Sequence, residues 1–164
     1  MKRQPKAPAR CLLPGSGSVS SSAGGPLFWS IGSRGMREAI LIWPLSFAMA
    51  VRPVIFLPSG LDDTDAVATA AILAHERTHH RQQRALGLLR FGVCYYVNPR
   101  FRWRVERAGY GREFAIYLRA GRRPNAAAYA RLLSGHFYAW MVRYPVALAW
   151  CEKTIANLYA AGRR

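Results

Sequence analysis

The pattern of apolar and polar positions changes period several times along this chain, and each change marks an element. Residues 39–57 are almost continuously apolar, but Pro44, Arg52 and Pro53 cut the run into short pieces. Short apolar runs ended by proline and glycine read as buried strands. Val54-Ile55-Phe56-Leu57 is the clearest, with Pro58-Ser59-Gly60 as its turn. The run has nearly the length of a bilayer span, so membrane association through residues 39–57 is the competing expectation. Beyond it the period becomes helical. Leu61-Asp62-Asp63-Thr64-Asp65 places acids at the positive end of a helix, with Asp63 or Thr64 as the expected N-cap. That helix should run to about Leu86, ahead of Gly87, with Arg77, Arg81 and Arg84 sharing its solvent face.

Residues 88–97 are apolar and aromatic and fit helix or strand. Asn98-Pro99 then reads as an N-cap followed by proline at the first helical position. It opens a helix over residues 99–120 that carries Glu106, Tyr110, Glu113 and Tyr117 and stops at Gly121. Gly109 and Gly111 each cost this helix about 1 kcal/mol of propensity, which predicts a packing reason such as a close backbone approach. After Arg122-Arg123-Pro124-Asn125, helices are predicted over 125–143 and 145–161, divided by Pro145 and stopped by Gly162. The predicted fold class is α+β and predominantly helical, with a short sheet beside the first long helix. Residues 38–164 form one domain. Residues 1–37, with the low-complexity run Gly15 to Gly25, read as a flexible basic tail, or as sequence upstream of a true start at Met36.

Charge adds to this picture. The 164 residues hold 24 Lys+Arg against 8 Asp+Glu, a net charge of +16. Such a surface favours anionic partners, so the Arg-rich face is expected to make weak contacts with nucleic acid or acidic lipid. A basic nucleic-acid- or membrane-binding protein is therefore one alternative function. Cys11, Cys94 and Cys151 are too few and too scattered for a disulfide framework and leave zinc no thiolate pair. They fit a reducing, cytoplasmic location. Pro14 cuts short the only apolar start at Cys11-Leu12-Leu13, so no secretory signal is expected.

The candidate chemistry lies in His75-Glu76-Arg77-Thr78-His79. Residues four apart on a helix share a face, so His75 and His79 can offer two imidazole nitrogens to one ion, a geometry that suits Zn²⁺. Glu76, one step round the helix, reaches the water that the ion activates and takes the general-base role. A third ligand is needed. Downstream acids are Glu106, Glu113 and Glu152, with His136 the remaining histidine beyond the motif. Glu106, on the helix opened by Asn98-Pro99, is the expected ligand. Tyr110, one turn later, is the expected donor to the transition-state oxyanion, with His136 as the alternative. His80 reads as a surface or capping histidine, and Glu113 as a solvated or Arg-paired acid.

These residues resemble the gluzincin group of zinc metallopeptidases. The chain looks most like small bacterial proteins reading H-E-x-x-H-x-x-Q, then an Asn-Pro-aromatic turn, then Glu-x-Glu-Ala-Tyr. The matching positions are His75, Glu76, His79, Gln82, Asn98-Pro99-Arg100-Phe101, Glu106 and Tyr110, over about residues 53–120. The resemblance implies a zincin-like fold in which an edge strand holds an extended substrate by main-chain pairing. It also implies Zn²⁺ on His75, His79 and Glu106, and cleavage of peptide or protein substrates with Glu76 as base. The chain departs from the pattern at Ala108, where the second acid would stand. Loss of an acid that orients a ligand lowers metal affinity by about 10–100-fold, so a catalytically weak zincin-like binding module is the other alternative.

Overall fold

A computed structural model of the chain describes residues 28–29, 39–44, 46–59, 61 and 65–163. Among these, the strands are β1 (Phe28–Trp29), β2 (Ala39–Trp43), β3 (Met49–Val51) and β4 (Val54–Pro58). The helices are α1 (Ala66–Leu86), α2 (Leu88–Val97), α3 (Pro99–Arg119), α4 (Ala126–Ser134) and α5 (Tyr144–Ala161). The fold is α+β and mostly helical.

The apolar run breaks where the sequence predicts. β2 ends at Trp43, before Pro44, and β3 and β4 form a hairpin that turns at Arg52-Pro53. Because β3 carries the chain back, β4 runs parallel to β2, with Ile40 opposite Ile55 and Ile42 opposite Leu57. β1 pairs antiparallel with the far side of β2, giving the order β1-β2-β4-β3. β4 is thus an inner strand, and β3 is an edge. Of the predicted tail, Phe28–Trp29 belong to this sheet, and the rest of residues 1–37 lie outside the described residues. Alternation sends Ile55 and Leu57 to one face, where with Ile40 and Ala50 they meet Ile72 and Leu73 of α1. Ile40, Ala50, Ile55 and Leu57 of the apolar run are buried in this contact between sheet and helix. No described helix is long and apolar enough to cross a membrane.

α1 begins one or two residues later than expected, with Asp65 as its cap. Asp65 Oδ1 accepts from the Ala68 N–H at 3.0 Å and also receives Arg122; Asp63 and Thr64 lie outside the described residues. The sheet-facing side of α1 is held by polar groups as well as by Ile72 and Leu73. His80 Nε2 donates to the Val54 carbonyl at 3.1 Å, Gln83 Nε2 donates to the Ala50 carbonyl at 2.7 Å, and Gln83 Oε1 accepts from the Arg52 N–H at 3.0 Å. His80 is therefore a buried strut between helix and sheet, which corrects the reading of it as a surface residue. It is only 2% exposed because it lies on the face that docks on the β3–β4 hairpin.

Residues 88–97 resolve as helix. Asn98 caps α3 by accepting from the Phe101 N–H at 3.0 Å, with Pro99 in the first turn, and Gly121 at φ +73° follows its end. The helix predicted over 125–143 is shorter: α4 stops at Ser134. A Cβ at position 135 would stand 2.9 Å from the Arg131 carbonyl, so glycine fits there. The chain then makes a 3-10 turn over His136–Tyr138, and Ala139 and Trp140 take left-handed φ values of 49° and 46°. The apolar core joins α3, α4 and α5 through Phe114, Leu133, Ala147 and Cys151. A smaller cluster of Phe91, Phe101 and Val105 holds α2 to α3.

Candidate metal centre

α1 and α3 pack along one another with a polar stripe between them. On α3 the stripe is Glu106, Gly109, Tyr110 and Glu113, spaced i, i+3, i+4 and i+7, and on α1 it is His75, His79 and Gln82. One-sided spacing on each helix brings the residues together. His75 Nε2 lies 3.0 Å from His79 Nε2 and 3.3 Å from Glu106 Oε2, and His79 Nε2 lies 3.5 Å from Glu106 Oε1. The three side chains are buried and form a group that could hold a metal ion. Gly109 explains how they come so close. A Cβ there would sit 2.7 Å from His75 Nε2, so the α3 backbone passes against the imidazole. The packing reason expected for both helix glycines applies to Gly109 only; Gly111 faces open space.

Hydrogen bonds on the far side of each of these side chains set its orientation and protonation. Glu113 Oε2 accepts from His75 Nδ1 at 3.0 Å, and Gln82 Oε1 accepts from His79 Nδ1 at 2.9 Å. The Gln82 amide cannot be turned round, because its Nε2 donates to the Val105 carbonyl at 3.2 Å. Both Nδ1 atoms therefore carry hydrogen, and both Nε2 lone pairs aim at the shared centre. Glu106 Oε1 accepts from the Tyr95 hydroxyl at 2.6 Å, while its buried Oε2 faces His75 Nε2 at 3.3 Å. Lone pairs meeting at this distance require a positive centre between them, either a proton or a cation. His75 shows the same demand: burial opposes its charge, yet bonding to Glu106 and Glu113 outweighs burial and raises its pKa from 6.5 to about 10. Burial likewise opposes charge on Glu106, but His75 and His79 hold its carboxyl well below the usual range.

Glu113 is thus a buried partner of His75, not the solvated or Arg-paired acid expected, and its other oxygen accepts from the Tyr129 hydroxyl. Ala108, where the resembling pattern has a second acid, is exposed. Tyr95, Gln82, Glu113 and Tyr129 were not chosen from sequence as supports for the centre. Gln82 belonged to the resembling pattern, and Glu113 follows Glu106 at i+7, which was a usable signal. No local feature marks the two tyrosines.

Glu76 is buried beside the cluster, and burial raises its carboxyl pKa. It opens, with His75, Tyr110 and Glu113, onto a cavity of about 750 Å³ whose walls include Phe47 and Phe137. The Tyr110 ring stands edge-on to His75, 4.4 Å between centroids, and its hydroxyl lies 2.8 Å from that of Tyr138. Burial and the charge of Glu106 keep both hydroxyls protonated well beyond the usual tyrosine range. The pair uses one of its two hydrogens internally and has one left to donate. His136 is exposed in the 3-10 turn and does not line the cavity. No family model, curated protein or solved structure matches this chain.

Proposed function

We propose that the protein is a zinc-dependent peptidase with a gluzincin-type site, acting on peptide or protein substrates. The donor triangle carries this reading. With zinc–ligand bonds of about 2.0–2.1 Å, neighbouring corners of a tetrahedron stand about 3.3 Å apart, and the closest donor separations here are 3.0, 3.3 and 3.5 Å. Two neutral imidazoles and one carboxylate suit Zn²⁺ better than Ca²⁺ or Mg²⁺, which take oxygen ligands. Three protein ligands leave the fourth position of a catalytic site free for water or substrate.

Zinc, when bound, supplies Lewis acidity: it acidifies a water and polarises a substrate carbonyl. The chain's own residues do the remaining work. Glu76, buried and lining the cavity, takes a proton there and passes it to the leaving amine. The Tyr110–Tyr138 pair offers one O–H to the oxyanion that develops beside it. Ala48, which also lines the cavity, leads directly into edge strand β3, where an extended peptide can add by main-chain pairing. The sheet against α1 supports a zincin-like relationship, and free Cys94 and Cys151 suit a cytoplasmic protein.

Elemental analysis of purified protein tests the reading. About one zinc per chain is expected, lost in Glu106→Ala and kept in His136→Ala. In a peptide-library assay, Glu76→Gln should keep the zinc and lose roughly 10²–10⁴-fold in turnover. A zinc-free wild type overturns the proposal. Full activity in Glu76→Gln removes the assigned base.

A further inference from the structure

α2 is apolar on both sides, which sets it apart from its neighbours. Phe91 points inward to Phe101 and Val105. Leu89, Val93, Tyr96 and Val97 follow i, i+4, i+7 and i+8 spacing on the opposite side, and they are 82%, 53%, 78% and 73% exposed. A stripe at this spacing is the face a helix normally buries, and here it faces outward. Contiguous exposed apolar surface of this kind marks an interaction site.

The charges around the stripe indicate what it meets. Arg84 closes α1, Arg90 lies on α2, and Arg100 and Arg104 open α3; all four are exposed. Between Glu76 and Glu106 the sequence holds no acidic residue. Nucleic acid would use the arginines but gain little from Leu89, Val93 and Val97. An anionic lipid surface uses both: headgroups meet the arginines, the aliphatic side chains enter the acyl boundary, and a tyrosine sits at the interface between them. We propose that the outward face of α2, Leu89-Val93-Tyr96-Val97 with its flanking arginines, docks the protein on an anionic membrane surface. α2 lies in the plane of the interface and does not cross it.

Docking there sets where the metal centre works. Phe91 stands 6.2 Å from the His79 ring, between centroids, and Tyr95 bonds Glu106. The candidate centre would therefore sit about one helix diameter, on the order of 10 Å, from the lipid surface.

Co-sedimentation of the full-length protein with phosphatidylcholine vesicles, with and without phosphatidylglycerol, tests the proposal. Binding is expected only with phosphatidylglycerol present. Leu89→Asp/Val93→Asp should weaken it by at least about tenfold, and so should Arg90→Glu/Arg100→Glu. Both variants should melt as the wild type does, because the altered side chains are exposed. Four outcomes overturn the proposal. One is no binding to acidic vesicles, and another is undiminished binding by Leu89→Asp/Val93→Asp, which assigns attachment to net charge. The others are a dimer dispersed by that variant without vesicle binding, and RNA binding lost in that variant without vesicle binding.

Discussion

The two sides of α3 bury different things. Towards α4 and α5 it buries Phe114, whose ring meets Tyr129 at 4.8 Å and Trp150 at 5.9 Å, amid Leu133, Ala147 and Cys151. Towards α1 it buries Glu106 and Glu113 against His75. The first side gains stability from apolar area, at roughly 25 cal/mol per Å², with little demand on orientation. The second side removes charged and polar groups from water, which costs several kcal/mol per ion before pairing offsets it. It also needs every partner in place, down to the Val105 carbonyl that fixes Gln82. One side of the helix anchors the apolar core, and the other gathers a buried group that could hold a metal ion.

That contrast can be broken from either side. The largest effect is expected from Glu106→Ala. Wild-type protein should melt higher with zinc, by about 4 kcal/mol of stabilisation at a thousandfold excess over Kd, and this response should vanish in the variant in a calorimetric scan. Leu133→Ala, on the apolar side, should lower unfolding free energy by about 2–5 kcal/mol in denaturant titration while the folded protein keeps its zinc affinity. If both variants change both readouts equally, the two sides are not separable. Glu113→Gln should weaken zinc by about 10–100-fold in competition with a chelating dye, with little change in melting.

The smallest effects come from the two glycines of α3, and they sharpen the contrast within two residues. Gly111→Ala meets nothing within 4 Å and should stabilise the fold by about 1 kcal/mol. Gly109→Ala places a methyl group against His75 Nε2 and should weaken zinc by about tenfold, since overpacking costs roughly 1–3 kcal/mol. Equal zinc affinity in the two variants would mean that the α3 backbone does not shape the centre.

The sequence by itself determined what local chemistry encodes. The end of α1 near Leu86, the Asn98 cap and Pro99 start of α3, and a strand over residues 54–57 follow from capping, φ restriction and period. His75 and His79 share a face by spacing along one helix, and Glu106 is one of two acids on the next long helix, of which packing sets Glu106 beside both histidines. A close approach at a helix glycine was also legible, but only packing selected Gly109 over Gly111. Tertiary structure decided what each face meets. His80 and Glu113 read as solvent-facing because a polar stripe normally turns outward; α1 turns one such stripe to the β3–β4 hairpin and the other to α3. α4 ends at Ser134, where Gly135 turns to extended backbone that would bring a Cβ against the Arg131 carbonyl. Residues 88–97, which fit helix or strand by period, are a helix that packs Phe91 on Phe101 and Val105. Periodicity states which residues share a face, whereas the surface that face meets comes from residues distant in the chain.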